Sequence, residues 1–186
     1  MRFLAAFDKF KDALSAGDVC RLAREKLESS LPNVRVSEIP LTDGGEGFCD
    51  ILTGAVGGRF SSYIVEGPLG TPVDARIGYV ELGLLSPEVR ELANLPSVGE
   101  VAVVEMASAA GLEQVELSMR DPWSASTFGV GELILHAAKE GASAILLGIG
   151  GSATNDLGIG ALRALGLQLF DSEDAEIDNV CPAEWP

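Results

Sequence analysis

Hydrophobic positions along the chain occur as short apolar runs separated by stretches of helical periodicity, a pattern typical of α/β proteins. Residues 3–7 form an apolar run of strand length, and residues 34–39 alternate as a second strand. Ser15 and Asp18 form a variant of the capping box that opens a helix between these strands. The apolar face of that helix consists of Val19, Leu22, Ala23 and Leu27. The chain therefore begins with a predicted β-α-β unit.

The pattern changes at residue 59, after which two strands are predicted around a Gly-Pro turn at 67–68. We expect this turn to be the hinge between a first lobe, residues 1–66, and a second lobe, residues 67–186, which carries the glycine-rich segment described below. The other predicted elements are helices at 48–52, 130–139 and 157–165, a loop carrying a short helix at 82–100, and strands at 101–105, 144–147 and 167–170. This alternation predicts an α/β fold.

The composition narrows the class of protein. The chain has 186 residues with 22 glycines and 47% hydrophobic residues, values that favour a packed protein over a disordered one. Its net charge of -15 and pI near 4.3 argue against nucleic acid as the main partner. The apolar runs are too short to cross a bilayer, and the first eleven residues are too polar for a signal peptide. We expect a soluble protein with no membrane or nucleic-acid partner.

The cysteines indicate a reducing environment. Cys20, Cys49 and Cys181 are odd in number, widely spaced and without a CxxC pair, which favours neither a disulfide framework nor a zinc site. Cys49 is interpreted as a small buried residue rather than a nucleophile. A cytoplasmic location is therefore expected.

The most informative segment is residues 147–160, LGIGGSATNDLGIG, where an apolar strand breaks into glycines and then into polar residues. Glycines let the backbone approach a ligand closely, and a turn that leads into a helix directs N–H groups outward, which attracts phosphate. Asn155 and Asp156 add an amide and a carboxylate that suit a magnesium ion or an attacking hydroxyl. Ser152, Thr154, Asn155 and Asp156 suit a turn and a helix cap equally well. The sequence leaves both interpretations open.

Two further segments follow the first two predicted strands. Lys9 and Lys11 lie after the first strand, at the sheet edge where α/β proteins bind ligands, and are placed to neutralise a phosphate. The alternative for these lysines is a solvated loop. The segment LTDGGEG at residues 41–47 offers Asp43 and Glu46, carboxylates that suit magnesium or a substrate hydroxyl. The alternative is a turn whose acidic residues favour the start of the next helix.

A third segment precedes the predicted helix at 130–139. Ser124, Ser126 and Thr127 come before two glycines, and their hydroxyls suit a carboxylate or a phosphate. An N-cap is the alternative role for one of these hydroxyls.

In their order along the chain, these segments resemble the motifs of the glycerate kinase family of the bacterial type 1 class, from the first residues to about Phe170. Six stretches carry the resemblance: AAFDKFKDALSA is similar to the family's APDSFKGSLSA, LTDGGEG to ADGGEG, GPLGTPVDARIGYV to the GPLG motif, VVEMASAAGL to IEMAxAxGL, SASTFGVGELI to ATTYGTGELI, and GIGGSATNDLGIG to GIGGSATNDGGAG. The resemblance implies a two-lobed fold, with a Rossmann-like parallel-sheet lobe, a second α/β lobe and the active site between them. It also implies transfer of the γ-phosphoryl group of ATP to a hydroxyl of D-glycerate with Mg2+.

The resemblance further implies roles for individual residues. Catalytic roles fall to Asp156, Lys9 and Lys11. Asp43, Glu46 or Asp156 would hold magnesium or accept the hydroxyl proton, and we favour Asp156 because it lies beside the predicted phosphate loop. The implied substrate-binding residues are Asp8, Asp43, Glu46, Ser126 and Thr127. The implied cofactor-binding residues are Gly150, Gly151, Ser152, Thr154 and Asn155. The implied magnesium ligands are Asp43, Glu46 and Asp156.

The chain departs from the family pattern at three places. Lys9 stands where the pattern has serine, and Asp12 with Ala13 replaces a Gly-Ser pair, which leaves the substrate preference open. Leu157 stands where the pattern has glycine. Members of the family continue well past this length, so we expect a fold incomplete at its C-terminus, either a fragment or a short relative. Open sheet edges in such a chain favour a homo-oligomer.

The sequence leaves two other functions open. Gly148, Gly150 and Ala153 fit the G-x-G-x-x-A fingerprint of an NAD-dependent oxidoreductase, with Asp171 at nearly the distance of a ribose-binding acid. A non-catalytic, nucleotide-binding relative of the kinase is the other alternative. The sequence also does not distinguish the 2-phosphate of glycerate from the 3-phosphate as product.

Overall fold

The computed structural model describes residues 1–11 and 13–177. Within this part of the chain the strands are β1 (Arg2–Ala5), β2 (Arg35–Glu38), β3 (Arg59–Glu66), β4 (Pro72–Glu81), β5 (Glu100–Glu105) and β6 (Ala144–Gly148). The α-helices are α1 (Ala16–Ser30), α2 (Phe48–Ala55), α3 (Pro87–Leu92), α4 (Ala107–Ala110), α5 (Phe128–Lys139) and α6 (Ile159–Ala164). Asp12 and Cys181, named in the sequence analysis, lie outside the described residues. No helix in the described ranges is long and apolar enough to cross a membrane.

The first compact unit, Met1–Asp43, is the predicted β-α-β unit. β1 pairs in parallel with β2. α1 begins where predicted because the hydroxyl of Ser15 accepts a hydrogen bond from the N–H of Asp18 at 3.1 Å. The small core between the helix and the strands contains Ala5, Cys20 and Val36.

The second compact unit begins at Gly44 and is built on a four-stranded sheet in the order β3-β4-β5-β6. β3, β4 and β5 pair antiparallel, and β5 pairs in parallel with β6. Because side chains alternate across a strand, β5 buries Ala102 on one face and Val101 on the other. The first face packs against α5 through Leu133, and the second packs against α2 through Cys49. Helices on both faces of a mixed sheet confirm the predicted α/β class.

One element differs from the sequence-based expectations. The expected strand at 167–170 is wrong, since Phe170 forms only an isolated bridge with Glu176. Its hydrophobic residues are half exposed, so little burial holds this segment against a sheet. The Gly-Pro turn expected to be a hinge joins β3 to β4 in a continuous antiparallel hairpin, and the compact units divide between Asp43 and Gly44. The division of a complete two-lobed protein at 1–66 and 67–186 stays a prediction.

Candidate active site

One edge of the four-stranded sheet gathers most of the predicted motifs. β3, β5 and β6 run in the same direction, since β4 is antiparallel to both of its neighbours and β6 is parallel to β5. Their carboxyl ends, at Glu66, Glu105 and Gly148, therefore share one edge. A motif follows each of these three ends. This is the edge at which open α/β sheets bind ligands.

The glycines after β6 pack against the glycines before α2, backbone to backbone. The N–H of Gly150 donates to the carbonyl oxygen of Gly44 at 2.8 Å. A Cβ atom on Gly150 would lie 2.7 Å from the nitrogen of Gly45, closer than real side chains approach. A Cβ on Gly151, which has φ of +71°, would overlap the carboxylate of Glu46. The structure thus brings Glu46 of LTDGGEG directly beside the predicted phosphate loop.

The motif after β5 closes on the same glycine turn from another side. The N–H of Met106 donates to the carbonyl oxygen of Gly148 at 2.9 Å, and the N–H of Leu112 donates to that of Gly151 at 2.8 Å. Ala153 returns a hydrogen bond to the carbonyl oxygen of Ala110 at 2.9 Å. Backbone hydrogen bonds therefore fix the glycine turn.

Two consecutive N–H groups of this turn, those of Gly151 and Ser152, donate to no acceptor among the described residues. Gly151, which provides the first of these N–H groups, has a left-handed backbone conformation. Successive N–H groups around a left-handed residue form a concave site for anions. The N–H of Gly150, in contrast, is directed to Gly44.

Glu105 is a buried carboxylate at this edge that the sequence analysis did not single out. Its Oε2 atom accepts a hydrogen bond from the N–H of Cys49, at the start of α2, at 3.1 Å. Burial raises the pKa of this carboxyl, and the charges of Asp50 and Glu46 raise the pKa further, while the amides of Cys49 and Gly47 act against the shift. The only sequence signal was an acid that ends an otherwise apolar strand, VAVVE.

Cys49 has the buried, unreactive character that was predicted for it. Its Sγ atom lies 3.3 Å from the carbonyl oxygen of Val103, and burial raises the pKa of the thiol to about 11. A thiol with such a pKa carries almost no thiolate at neutral pH.

Asp156 is buried, with 4% of its surface exposed, and its carboxylate accepts four hydrogen bonds. The Oδ2 atom accepts from the N–H and the hydroxyl of Thr127, both at 2.8 Å, and from the N–H of Gly160 at 3.1 Å. The Oδ1 atom accepts from the N–H of Gly158 at 3.1 Å. The carboxylate thus joins the start of α5 to the start of α6, an arrangement that favours positioning of the loop.

Ser126 and the glycines of α5 tie this helix to its neighbours. The N–H of Ser126 donates to the carbonyl oxygen of Pro68 in the GPLG turn at 2.9 Å, and its hydroxyl accepts from the N–H of Phe128 at 3.1 Å. The hydroxyl of Ser126 therefore satisfies the first N–H of α5 from the position before the N-cap, Thr127, whose own side chain makes no capping hydrogen bond. A Cβ atom on Gly129 would overlap the carbonyl oxygen of Glu66, and one on Gly131 would overlap that of Ala161 in α6.

A cavity of about 490 Å³ lies in the second unit beside these segments. Its polar wall consists of Arg120, Asp121, Ser152, Thr154 and Asn155. Its apolar wall consists of Leu69, Leu112, Val115, Pro122, Ala125 and Ala153. The hydroxyls of Ser152 and Thr154 lie 2.6 Å apart and hydrogen-bond to each other. The volume is within the range of small-molecule sites, and three of the five predicted cofactor-binding residues line it.

The first unit brings together two other predicted residues. The Nζ atom of Lys9 lies 3.2 Å from Oδ1 of Asp43, and only 13% of the Lys9 side chain is exposed. Asp8 accepts a hydrogen bond from the N–H of Lys9 through its own carboxylate at 2.6 Å. Lys11 is exposed. Lys9 and Asp43 therefore form an ion pair, which the sequence analysis did not predict.

Within residues 1–11 and 13–177, no group of three or more histidine, cysteine, aspartate or glutamate residues could hold a metal ion. The assignment of magnesium to Asp43, Glu46 and Asp156 stays a prediction.

Comparison with known proteins decides the family. The profile of the glycerate kinase family matches residues 3–184, which is nearly the whole chain. The chain belongs to the glycerate kinase family. The glycerate kinase of Bacillus subtilis (strain 168) is 38% identical over 177 residues, and the glycerate 2-kinase of Escherichia coli (strain K12) is 37% identical over 177 residues. Each match covers 95% of this chain and 42% of the relative.

A solved structure from Salmonella typhimurium LT2, described under the name glycerate kinase 2, shares the fold with a TM-score of 0.68 and 39% identity. The match covers 95% of this chain and 44% of that one. The chain therefore spans less than half the length of these glycerate kinase relatives, and the resemblance predicted from the six motifs is confirmed.

Membership of the glycerate kinase family favours the kinase over the NAD-dependent alternative. Asp171, the expected ribose-binding acid, accepts hydrogen bonds through Oδ1 from the N–H groups of Glu173 and Ala175, at 2.8 and 2.9 Å. Its carboxylate thus stabilises a local turn.

Proposed function

We propose that the chain takes part in ATP-dependent phosphorylation of D-glycerate to phosphoglycerate. The observation that carries this proposal is the meeting of five family motifs at one sheet edge, around a glycine turn with two consecutive N–H groups that have no acceptor within residues 1–11 and 13–177. Phosphoryl transfer depends mostly on positioning and on neutralising charge, and the elements around this turn are suited to both.

The phosphate-binding part of the proposal uses the glycine turn. The N–H groups of Gly151 and Ser152 would donate to phosphate oxygens of ATP, and Gly150 would allow the close approach of the backbone. Ser152, Thr154 and Asn155 add hydroxyl and amide groups on the cavity wall. These contacts would position the nucleotide before the transfer step.

The charge-neutralising part of the proposal uses Lys9 and Lys11. Lys9 is held by Asp43, which fixes the direction of its ammonium group. A fixed ammonium stabilises charge that develops on the transferring phosphoryl group or on the glycerate carboxylate. Asp8, Ser126 and Thr127 remain proposed substrate-binding residues, although the hydroxyls of Ser126 and Thr127 already make the hydrogen bonds described above.

Magnesium fits the donor chemistry of the glycine turn. Mg2+ prefers oxygen ligands and in phosphoryl-transfer sites is held by one or two carboxylates together with substrate phosphates. Glu46 lies against Gly151 and supplies one such carboxylate, with Asp43 and Asp156 as the other proposed ligands. When bound, the ion would neutralise charge on the phosphates. Asp156 makes four hydrogen bonds in the structure, which supports a positioning role beside that of base.

The experiment is a measurement of ADP release by the purified chain with magnesium and ATP, with and without D-glycerate. Glycerate-dependent ADP is the expected result, and NMR of the product would distinguish the 2-phosphate from the 3-phosphate. ATP binding without turnover would support the non-catalytic relative instead. Binding of NAD without binding of ATP would overturn the proposal. Sedimentation analysis of the same sample would test the proposed homo-oligomer, and cell fractionation the proposed cytoplasmic location.

A further inference from the structure

The cavity beside the glycine turn contains a positive charge that no family motif quoted above assigns. Arg120 lines this cavity together with Ser152, Thr154 and Asn155. It lies in the segment between α4 and α5, before the motif that begins at Ser124. A cation in the wall of a cavity is notable in a chain with a net charge of -15, because most of its surface repels anions.

The guanidinium group of Arg120 is held in place on one side. Its Nε atom donates to the carbonyl oxygen of Val115 at 3.1 Å. Val115 is itself buried and lines the same cavity. Arg120 as a whole is exposed, and this hydrogen bond ties one edge of its guanidinium to the cavity wall. The Nη1 and Nη2 atoms form no hydrogen bond or ion pair within the described part of the chain.

Several other arginines of the chain form ion pairs with carboxylates, and Arg120 differs from them. Four of them face carboxylates in ion pairs: Arg21, Arg24, Arg59 and Arg76. Arg120 does not, although Asp121 follows it directly, and the Oδ1 atom of Asp121 accepts from the N–H of Trp123 at 3.0 Å. Among the residues that the structure describes, the charge of Arg120 thus has no carboxylate partner.

The groups that share the cavity suit an anion with a small organic body. The paired hydroxyls of Ser152 and Thr154 and the amide of Asn155 can donate hydrogen bonds to oxygen atoms. An arginine fork binds two oxygens of a carboxylate or phosphate at once, which a lysine cannot do. Apolar residues complete the wall and suit carbon atoms of the same ligand.

We propose that Arg120 binds an oxyanion group of a ligand in this cavity through Nη1 and Nη2. The inference rests on the proposed function, which offers two sources of that group, the carboxylate of the acceptor acid and a phosphate of the nucleotide. Both present a pair of negatively charged oxygens that a guanidinium can bind at once.

The test measures dissociation constants of the complete chain for D-glycerate, tripolyphosphate and ATP by calorimetry, in the parent, in Arg120→Gln and in Arg120→Lys. We expect Arg120→Gln to weaken one class of ligand by about 10- to 100-fold, since a charged bidentate contact is lost. Arg120→Lys should recover only part of this loss. Arg35→Gln is the matched control, because it removes one positive charge from an exposed strand residue outside the cavity.

The affinities for the three ligands distinguish the two sources of the oxyanion. Weakened binding of glycerate alone assigns the carboxylate, and weakened binding of tripolyphosphate and ATP assigns a phosphate. Parent-like affinities in Arg120→Gln, or a parent that binds none of the three probes, would overturn the proposal. ADP release tests the proposed function separately. Turnover together with unchanged ligand affinities in Arg120→Gln would contradict only this inference. Ligand binding that depends on Arg120, without turnover, would contradict only the kinase activity.

Discussion

The carboxylate of Asp156 accepts two hydrogen bonds from Thr127, one from its backbone N–H and one from its hydroxyl, both at 2.8 Å. The same hydroxyl accepts a hydrogen bond from the N–H of Ala161 at 3.0 Å. One buried pair of side chains therefore connects the segment before α5, the loop after β6 and helix α6.

Replacement of Asp156 by asparagine should destabilise the fold. An asparagine places an NH2 group where the carboxylate accepts hydrogen bonds, so at least one buried N–H would lose its acceptor. We expect Asp156→Asn to lower the free energy of unfolding by on the order of 2 kcal/mol or more, measured by urea denaturation. Asp171→Asn is the control, because the same change at an exposed turn acceptor should alter stability by less than about 0.5 kcal/mol.

The outcome also decides between the two roles considered for Asp156. Unchanged stability with lost turnover would indicate a base or a metal ligand. Lower stability with turnover retained by the folded fraction would indicate a positioning residue.

A methyl group at Gly150 should separate the two glycine segments. Its Cβ atom would lie 2.7 Å and 2.8 Å from the nitrogen and Cα of Gly45, which are backbone atoms that cannot rotate away. We expect Gly150→Ala to cost about 1–3 kcal/mol of stability and to weaken ATP binding. Gly54→Ala is the control, since nothing lies within 4 Å of the added atom and alanine favours the helix. Equal stability of both variants would show that the segments are not in tight contact.

Replacement of Leu157 by glycine should increase the stability of the fold. Leu157 stands where the family pattern has glycine, its φ angle is +52°, and 77% of its surface is exposed. Left-handed backbone is strained for leucine, while little burial is lost on removing this side chain, so Leu157→Gly should gain about 0.5 kcal/mol of stability. Leu165→Gly, at the end of α6 with φ of -84°, should instead lose about 1 kcal/mol. Thermal denaturation of the two variants side by side checks the contrast, and a loss at Leu157 would contradict it.

Glu105 should make stability depend on pH. Its pKa in the folded chain lies above the ordinary value of 4.5, so folding favours the protonated form. The stability it contributes is present below that value and is lost as the pH rises through the raised pKa. We therefore compare the unfolding free energy of the parent with that of Glu105→Gln. The difference, parent minus variant, should fall as the pH rises from the ordinary pKa through the raised pKa, and should then level off.

Urea denaturation at several pH values between about 4 and 8 measures this difference, with the exposed Glu113→Gln as the matched control. A difference that rises with pH, or a control with the same profile, would contradict burial as the cause.

Lys9 should matter for catalysis more than for stability. Its ion pair with Asp43 involves an aspartate side chain that is 62% exposed, and such pairs contribute less than about 1 kcal/mol. A fixed charge on a transferring phosphoryl group is worth more, so Lys9→Gln should lower kcat/KM for ATP by at least about tenfold. Lys26→Gln, an exposed lysine of α1, is the control in the ADP-release assay. Parent-like turnover in Lys9→Gln would remove Lys9 from the catalytic residues.

The sequence predicted the elements that have strong periodic or capping signals. α1 begins after Ser15, and the strands at 101–105 and 144–147 appear within one residue of their predicted bounds, because local propensity and burial agree there. The strand expected at 167–170 failed because alternation alone does not supply a neighbouring strand to pair with.

The same reasoning explains which parts of the site could be found in advance. The glycine motifs were visible because glycine marks close backbone approach. Glu105 and Arg120 were missed, since neither stands among glycines and their surroundings arise only from long-range packing. The hydrogen bonds of Asp156 with Thr127, 29 positions apart, likewise depend on tertiary contacts that no local pattern contains.

Gly129 and Gly131 let helix α5 approach its neighbours closely on two sides, with almost no side chain between them. At one, α5 touches the carbonyl of Glu66 at the end of β3, and at the other it touches that of Ala161 in α6. Side chains between elements act as deformable layers that absorb small shifts by changing rotamer, and here that layer is missing. A displacement of α6 would therefore have to move α5 and its contact with β3 as well, because no flexible side chains lie between them.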